Sequence, residues 1–122
     1  MPVQVTQQNE PNTHTATIAA SGNLSAAVSI PNGHELIAIV MPAAWTAAGI
    51  TFQASPTNGS FANAYDAAGD EIALVVLATH FVPIAAGTLN GANFIKVRSG
   101  TSGTPVAQAA ERVLTLITRP SA

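Results

Sequence analysis

The feature that most constrains this chain is a succession of short segments in which apolar residues alternate with small ones. Residues 24–30 show the alternation best, with Leu24, Val28 and Ile30 on one side and serine or alanine on the other. A period of two is what a half-buried β-strand requires, because successive side chains point to opposite faces. Glycine, proline and asparagine separate the segments, and turn residues at such short intervals are typical of an all-β domain.

Two further segments, residues 36–41 and 72–78, are apolar on both faces. This pattern is typical of strands covered on both sides, so we predict that both are central strands. Residues 79–91 contain Pro83 and Gly87 and show no periodicity, which predicts a loop. The remaining predicted strands cover residues 13–18, 24–30, 50–55, 61–66, 94–98 and 113–118. About eight antiparallel strands without a helix predict a single, jelly-roll-like β-sandwich.

The chain has 122 residues, the size of one domain, and no cysteine that could form a disulfide or a thiolate metal site. We assign the polar, aperiodic residues 1–12 to an extended N-terminal arm and residues 13–122 to the sandwich. The first residues lack the basic and apolar regions of a secretory signal, so we expect synthesis in the cytoplasm. No apolar run approaches the roughly 20 residues of a membrane span, so we expect no membrane partner.

Charged residues make up only 8% of the chain, against about 25% in an ordinary soluble domain. The net charge is −2, and nothing resembles the basic stripe that binds nucleic acid. A surface this poor in charge exposes apolar patches, which usually mark interfaces. We therefore favour a subunit of an oligomer or larger assembly over a neutral, alanine-rich monomer.

The stretch from residue 24 to residue 119 resembles a small domain found in structural proteins of tailed bacteriophages. The resemblance is carried by LSAAVSI (24–30), MPAAWTAAGITFQAS (41–55), FIKVRSGTS (94–102) and PVAQ (105–108). The layout also resembles discoidin-type or carbohydrate-binding jelly rolls. Those domains have a strand with Phe-x-x-Ser, here Phe52 and Ser55, and a late strand with Ile-x-x-Arg, here Ile95 and Arg98.

The resemblance implies a virion protein, and the small size fits a capsid decoration, or cement, protein. Such proteins sit on the outside of the phage head, often as trimers, and bridge neighbouring capsomers. The implied partners are the major capsid protein or another virion protein, together with further copies of the chain in a homo-oligomer, a trimer being favoured. In the arm, Pro2, Val3 and Val5 would bind a partner by adding a strand to an exposed sheet edge. The alternative is a carbohydrate- or receptor-binding module of a tail or head spike or fibre, with a glycan as ligand.

Asp66, Asp70 and Glu71 form the only carboxylate cluster of the sequence. Oxygen ligands around a turn can hold Ca²⁺, but the spacing is not that of an EF-hand loop, and a solvated acidic hairpin explains the cluster equally well. Nothing places one of these carboxylates in the apolar pocket that a glycosidase acid needs. The three residues are therefore only weak metal candidates.

The other polar residues form no recognisable catalytic motif. His14, His34 and His80 are scattered, and the fold would have to bring them together for a zinc site or a triad. Residues 99–104 lack the lysine and the following helix of a phosphate-binding loop, so we expect a hairpin connection there. We predict that the chain is not an enzyme and uses no cofactor.

Trp45 leaves two interpretations open. It follows Pro42 in a loop, where it could present a flat surface to a sugar or a partner chain, or cover one end of the core. Burial is the commoner environment of large aromatic side chains. In the first interpretation, Trp45 and the loops 56–60 and 99–105 would form a site at one end of the sandwich.

Arg98 ends a predicted strand and also leaves two interpretations open. An ion pair with Asp66 or Glu111 would mainly specify geometry if it is buried. The other interpretation is a ligand-binding role at the rim of the sandwich.

Overall fold

The computed structural model describes residues 11–121, which form two antiparallel β-sheets and no helix. The prediction of an all-β sandwich is thereby confirmed. The strands of the described residues are β1 (Asn12–Ile18), β2 (Val28–Ser29), β3 (His34–Val40), β4 (Ile50–Ser55), β5 (Ala62–Asn63), β6 (Ala73–Leu74), β7 (Phe81–Pro83), β8 (Phe94–Ser99) and β9 (Arg112–Pro120).

The strands pair in a nested order along the chain. Strand β1 pairs with β9, β2 with β8, β3 with β7, and β4 with both β5 and β6. The first sheet has the order β1-β9-β3-β7 and the second the order β2-β8-β4-β5, with β6 also on β4. One long hairpin rolled up into two sheets in this way is a jelly roll, as predicted. Because β5 and β6 share one partner, they act as a single interrupted strand.

The core lies between the two sheets and follows the alternation of the sequence. Ile50 and Phe52 of β4 are wholly buried, as are Ile95 and Val97 of β8, and Phe52 is paired with Val97 in the register. Phe52 is the largest of the wholly buried side chains. The period of two therefore determines which face of each strand is buried, since a shift by one residue would expose the whole set.

Strand β2 is shorter than predicted. The expected strand over residues 24–30 is reduced to Val28–Ser29 and an isolated bridge between Leu24 and Arg98. Between them, Ser25 N donates to Val97 O (2.8 Å) and Val97 N donates to Ser25 Oγ (2.9 Å). The serine hydroxyl takes the place of a backbone carbonyl, so the ladder is interrupted although the alternation continues.

The prediction of a central strand over residues 72–78 is wrong. Only Ala73–Leu74 form a strand, and Val75 and Leu77 are 92% and 58% exposed, with Val76 buried between them. The chain crosses here from the second sheet to the first, so this stretch lies in neither ladder. The neighbouring prediction of a loop missed β7, a three-residue edge strand in which a proline is tolerated because one side of it is unpaired.

Candidate functional site

Arg98 is buried on the outer face of the second sheet. It lies among the outward-facing residues of β8, yet it is only 5% exposed. Its guanidinium donates to Thr51 Oγ1 (3.2 Å), to Asn63 Oδ1 (2.5 Å) and to Glu71 Oε2 (3.3 Å). The amide of Ser102 donates to the Glu71 carboxylate at 3.2 Å, so the acid is held from a second side. This network ties β4, β5 and two loops to β8.

The ion-pair partner of Arg98 is Glu71, so the predicted pair with Asp66 or Glu111 is wrong. Sequence alone could not choose among these acids, because the choice depends on which loop lies over the outer face of the sheet. The loop after β8 also closes over this network, since Thr51 Oγ1 donates to Gly100 O (2.8 Å). Residues 99–105 are thus a structural connection, as expected.

Two of the three candidate metal ligands, Asp66 and Glu71, serve separate structural purposes. Asp66 Oδ1 accepts hydrogen bonds from the amides of Ala68 and Asp70 (both 2.9 Å) and closes its own turn. Glu71 is turned toward Arg98 instead. Within residues 11–121 no group of three or more histidine, cysteine, aspartate or glutamate side chains is placed to hold a metal ion.

Two of the three histidines meet on the first sheet. The buried Thr118 hydroxyl of β9 lies 3.1 Å from His14 Nε2 of β1 and 3.3 Å from His34 Nδ1 of β3. A hydroxyl can donate to one imidazole nitrogen and accept from the other, so it satisfies both rings when they are neutral. Burial and the nearby His34 hold the pKa of His14 below its usual value of 6.5. His80 lies elsewhere, past the other end of β3, where its carbonyl accepts from the Met41 amide.

Trp45 lies half-buried against the core, and its indole N–H donates to the carbonyl of Ala48 (3.0 Å). The structure does not bring it together with both of the loops expected to complete a site with it. Strand β4 follows the Trp45 loop and leads away to residues 56–60, while the antiparallel β8 ends in residues 99–105 beside Gly49. Residues 56–60 therefore lie at the opposite end of the sandwich from residues 99–105.

Gln108 holds the Trp45 loop in place and was not recognised from the sequence. It is wholly buried, its Oε1 accepts from the amide of Thr46 (2.8 Å), and its Nε2 donates to Thr46 O (3.1 Å) and Ser99 Oγ (2.7 Å). Arg112 Nε donates to the same Oε1 at 3.1 Å. A single glutamine in an alanine-rich segment gives no sequence signal for this role.

The end of the sandwich that carries Trp45 also exposes large apolar side chains. Residues 75–80 cross between the sheets beside the Trp45 crossing, since Thr79 N donates to Pro42 O (2.9 Å). Val75, Leu77 and Phe81, the last of these 61% exposed, project there, and we call these three residues the apolar end. The sequence marked this stretch as apolar but predicted it to be buried.

Two adjoining hollows run along one side of the molecule, between the edges of the two sheets. The larger, about 600 Å³, lies between residues 65–74 and residues 83–88. The smaller, about 210 Å³, continues toward the end that carries residues 56–60. Tyr65, Ile72 and Thr88 line both, so the hollows form one surface, which we call the Tyr65 groove. No pattern in the sequence indicated it, since Tyr65 is a lone aromatic beside an acidic turn.

The predicted arm lies almost wholly outside the described residues, and so do its candidate partner-binding residues Pro2, Val3 and Val5. Of the arm, only Pro11 and Asn12 are described, and Asn12 opens β1. In the described part of the chain no helix is long and apolar enough to cross a membrane. Comparison with protein-family models, curated proteins and solved structures found no match to this chain.

Proposed function

We propose that this chain is a structural virion protein of a tailed bacteriophage, a decoration protein that binds the outer surface of the head and bridges capsomers. The observation that carries the proposal is the apolar end, where Val75, Leu77 and Phe81 are between 58% and 92% exposed. The resemblance of residues 24–119 to phage structural proteins supplies the biological setting. The major capsid protein is the proposed partner, and the virion is the proposed location.

The apolar end is suited to attachment by burial rather than by charge. Burying one large aliphatic or aromatic side chain contributes about 1.5–3 kcal/mol. A chain with 8% charged residues has few other sources of affinity, because surface ion pairs are worth little. Repetition of such a contact in a trimer would multiply its strength without any further contact, since each later attachment is intramolecular.

A non-catalytic role is consistent with the places of the titratable groups in the described structure. Glu71 is engaged by Arg98, Asp66 closes its own turn, and His14 and His34 share the Thr118 hydroxyl. We therefore propose a structural protein that uses no cofactor.

The proposal is tested by measuring the copy number of the chain in purified phage particles by quantitative mass spectrometry, relative to the major capsid protein. A ratio near that of the capsid protein is expected, and light scattering of the isolated chain should show a trimer. A ratio far below it would place the chain in a tail or spike, and absence from particles would refute the proposal.

The role of the apolar end is tested on particles that lack the chain. We expect Leu77→Ser and Phe81→Ser each to weaken attachment about tenfold or more, which corresponds to the loss of roughly 1.4 kcal/mol or more. Tyr65→Ser is the matched control, because Tyr65 is 52% exposed but lies on the side of the sandwich. Equal attachment of all three variants would exclude the apolar end as the contact.

A further inference from the structure

The Tyr65 groove has the dimensions of a ligand site. Its larger part, of about 600 Å³, falls within the roughly 300–1,000 Å³ of small-molecule pockets. Part of the lining is apolar, because Ile72 and Leu74 pack against the core on one wall and the buried Ile84 forms part of the other. Since both walls are anchored in the core, the groove is formed before any ligand arrives.

Tyr65 is the central feature of the groove. It lies at the junction of the two hollows and is 52% exposed. Its backbone pairs with Glu71 in an isolated antiparallel bridge, and Glu71 is in turn fixed by Arg98, so the base of the tyrosine is held in place. The phenol hydroxyl has no hydrogen-bond partner among the described residues. A half-exposed tyrosine whose backbone is held in this way offers an apolar face and a free polar tip to a ligand.

The polar groups that remain free indicate the chemistry of the ligand. Asp66 uses one carboxylate oxygen to close its turn, and among the described residues neither its Oδ2 nor the Thr88 side chain has a hydrogen-bond partner. No lysine or arginine lines either hollow, whereas Asp66 and Glu71 both line the larger one. An anionic ligand is therefore disfavoured. These features favour a neutral ligand that has hydroxyl groups and an apolar C–H face.

We propose that the Tyr65 groove binds a neutral oligosaccharide, with one sugar ring stacked on Tyr65 and its hydroxyls bonded to Asp66 and Thr88. The two hollows on either side of the ring accommodate the neighbouring sugars of the chain. The smaller hollow extends toward the end opposite the apolar end. None of Val75, Leu77 and Phe81 lines either hollow, so the groove is distinct from the proposed capsid contact and neither proposal depends on the other.

The test uses the full chain and a defined glycan panel. Cellohexaose, maltohexaose, chitohexaose and mannohexaose are the neutral probes, and hexagalacturonate and dextran sulfate are the acidic ones. In ¹H–¹⁵N NMR titrations we expect a neutral probe to shift the amides of residues 65–72 and 84–91. Tyr65→Ala and Thr88→Ala should each weaken that binding at least tenfold, while Phe81→Ser at the apolar end leaves it unchanged.

Three outcomes would overturn the proposal. They are no shift of the groove amides with any neutral probe, equal binding by Tyr65→Ala, and preferential binding of the acidic probes. Because Tyr65 is exposed, its replacement should leave the fold intact, which a thermal unfolding scan of the variant confirms. Tyr65→Ala should also attach to particles as the parent chain does, so failure of the glycan test and failure of the decoration proposal are separable.

Discussion

At the scale of single residues, Arg98 shows how one buried charge can organise a surface loop. The planar guanidinium reaches three acceptors at once, which the point charge of a lysine cannot reproduce. Glu71 and Ser102 lie outside the strands, so the main role of the network is to specify where residues 64–72 and the loop after β8 lie. A buried ion pair of this kind adds little net stability but is costly to break from one side.

We predict that Arg98→Met lowers the free energy of unfolding by about 3–5 kcal/mol, because Glu71 is left partly buried without a counter-charge. Lys96→Met is the matched control, since Lys96 lies on the same face of β8 and its ammonium lies over the Phe61 ring, 4.5 Å from the centroid. Lys96→Met should lower the free energy of unfolding by no more than about 1 kcal/mol. Urea unfolding of both variants measures the difference, and equal midpoints would contradict the assigned role of Arg98.

The histidine pair makes stability depend on pH. The pKa of His14 is lower in the folded chain than its unfolded value of 6.5, so the unfolded chain binds the proton more readily. The contribution of neutral His14 to the free energy of unfolding is therefore fully present above about pH 6.5. It is lost as the pH falls through the lower pKa of the folded chain. We expect the urea concentration at the unfolding midpoint to decrease as the pH is lowered from 8 to 5. His14→Gln should reduce this decrease, whereas His80→Gln should not. The opposite pattern would refute the assignment of the pH dependence to His14.

At the scale of elements, the interruption of β2 depends on one hydroxyl. Ser25 is buried and its Oγ accepts from the Val97 amide at 2.9 Å, in the middle of the core strand β8. Ser25→Ala should cost about 1–3 kcal/mol, because it leaves that amide buried and unpaired. Ser29→Ala, on the exposed position of β2, should change stability by less than about 0.5 kcal/mol. Hydrogen exchange of the Val97 amide should accelerate only in the first variant.

The loop after β8 requires a glycine at its first position. Gly100 has φ +89°, and a Cβ there would lie 2.5 Å from Thr104 O and 2.7 Å from Val106 N. Gly100→Ala should therefore destabilise the protein by more than about 2 kcal/mol, through backbone strain and the displacement of the loop over Arg98. Gly103→Ala meets no atom within 4 Å and should be nearly neutral. Thermal unfolding of the two variants checks this, and similar melting temperatures would contradict it.

At the scale of the whole molecule, the nested pairing makes folding depend on distant contacts. The outermost pair joins Asn12 to Thr118, so it closes only after nearly the entire chain has been brought together. Such non-local topologies fold slowly, because loop-closure entropy is lost before the contacts form. The same pairing places the two ends of the described chain side by side.

We predict that a circular permutant joining residue 122 to residue 1 and opened between Asn58 and Gly59 folds to the same sandwich. The opening lies in an exposed loop, whereas a permutant opened between Val97 and Arg98 would cut β8 and should not fold. Since the β1–β9 pairing becomes local, refolding should accelerate by up to about tenfold. Stopped-flow refolding measures the rate. If the permutant folds but refolds more slowly than the parent chain, this would contradict the expectation that the β1–β9 pair closes last.

Several features of the fold could be predicted because they are encoded in consecutive residues. The alternation over residues 50–55 and 94–98 identified β4, β8 and their buried faces, since the pleat of a strand converts a period of two directly into an inside and an outside. The same rule was insufficient for residues 75–77. Their apolar character was evident, but whether another layer covers them depends on where the chain crosses between sheets.

By itself the sequence determined the all-β class and the strand faces that form the core, because each depends on the local spacing of residue types. The number of short strands also predicted a jelly-roll-like sandwich, although the nested pairing itself joins distant residues. Only the tertiary structure decided which distant groups meet. Glu71 rather than Asp66 reaches Arg98, His14 meets Thr118 across 104 positions, and Tyr65 comes to stand between two hollows. These contacts depend on the rolling of one sheet against the other, for which no short stretch of sequence carries a signal. The candidate sites of this protein belong to that second group.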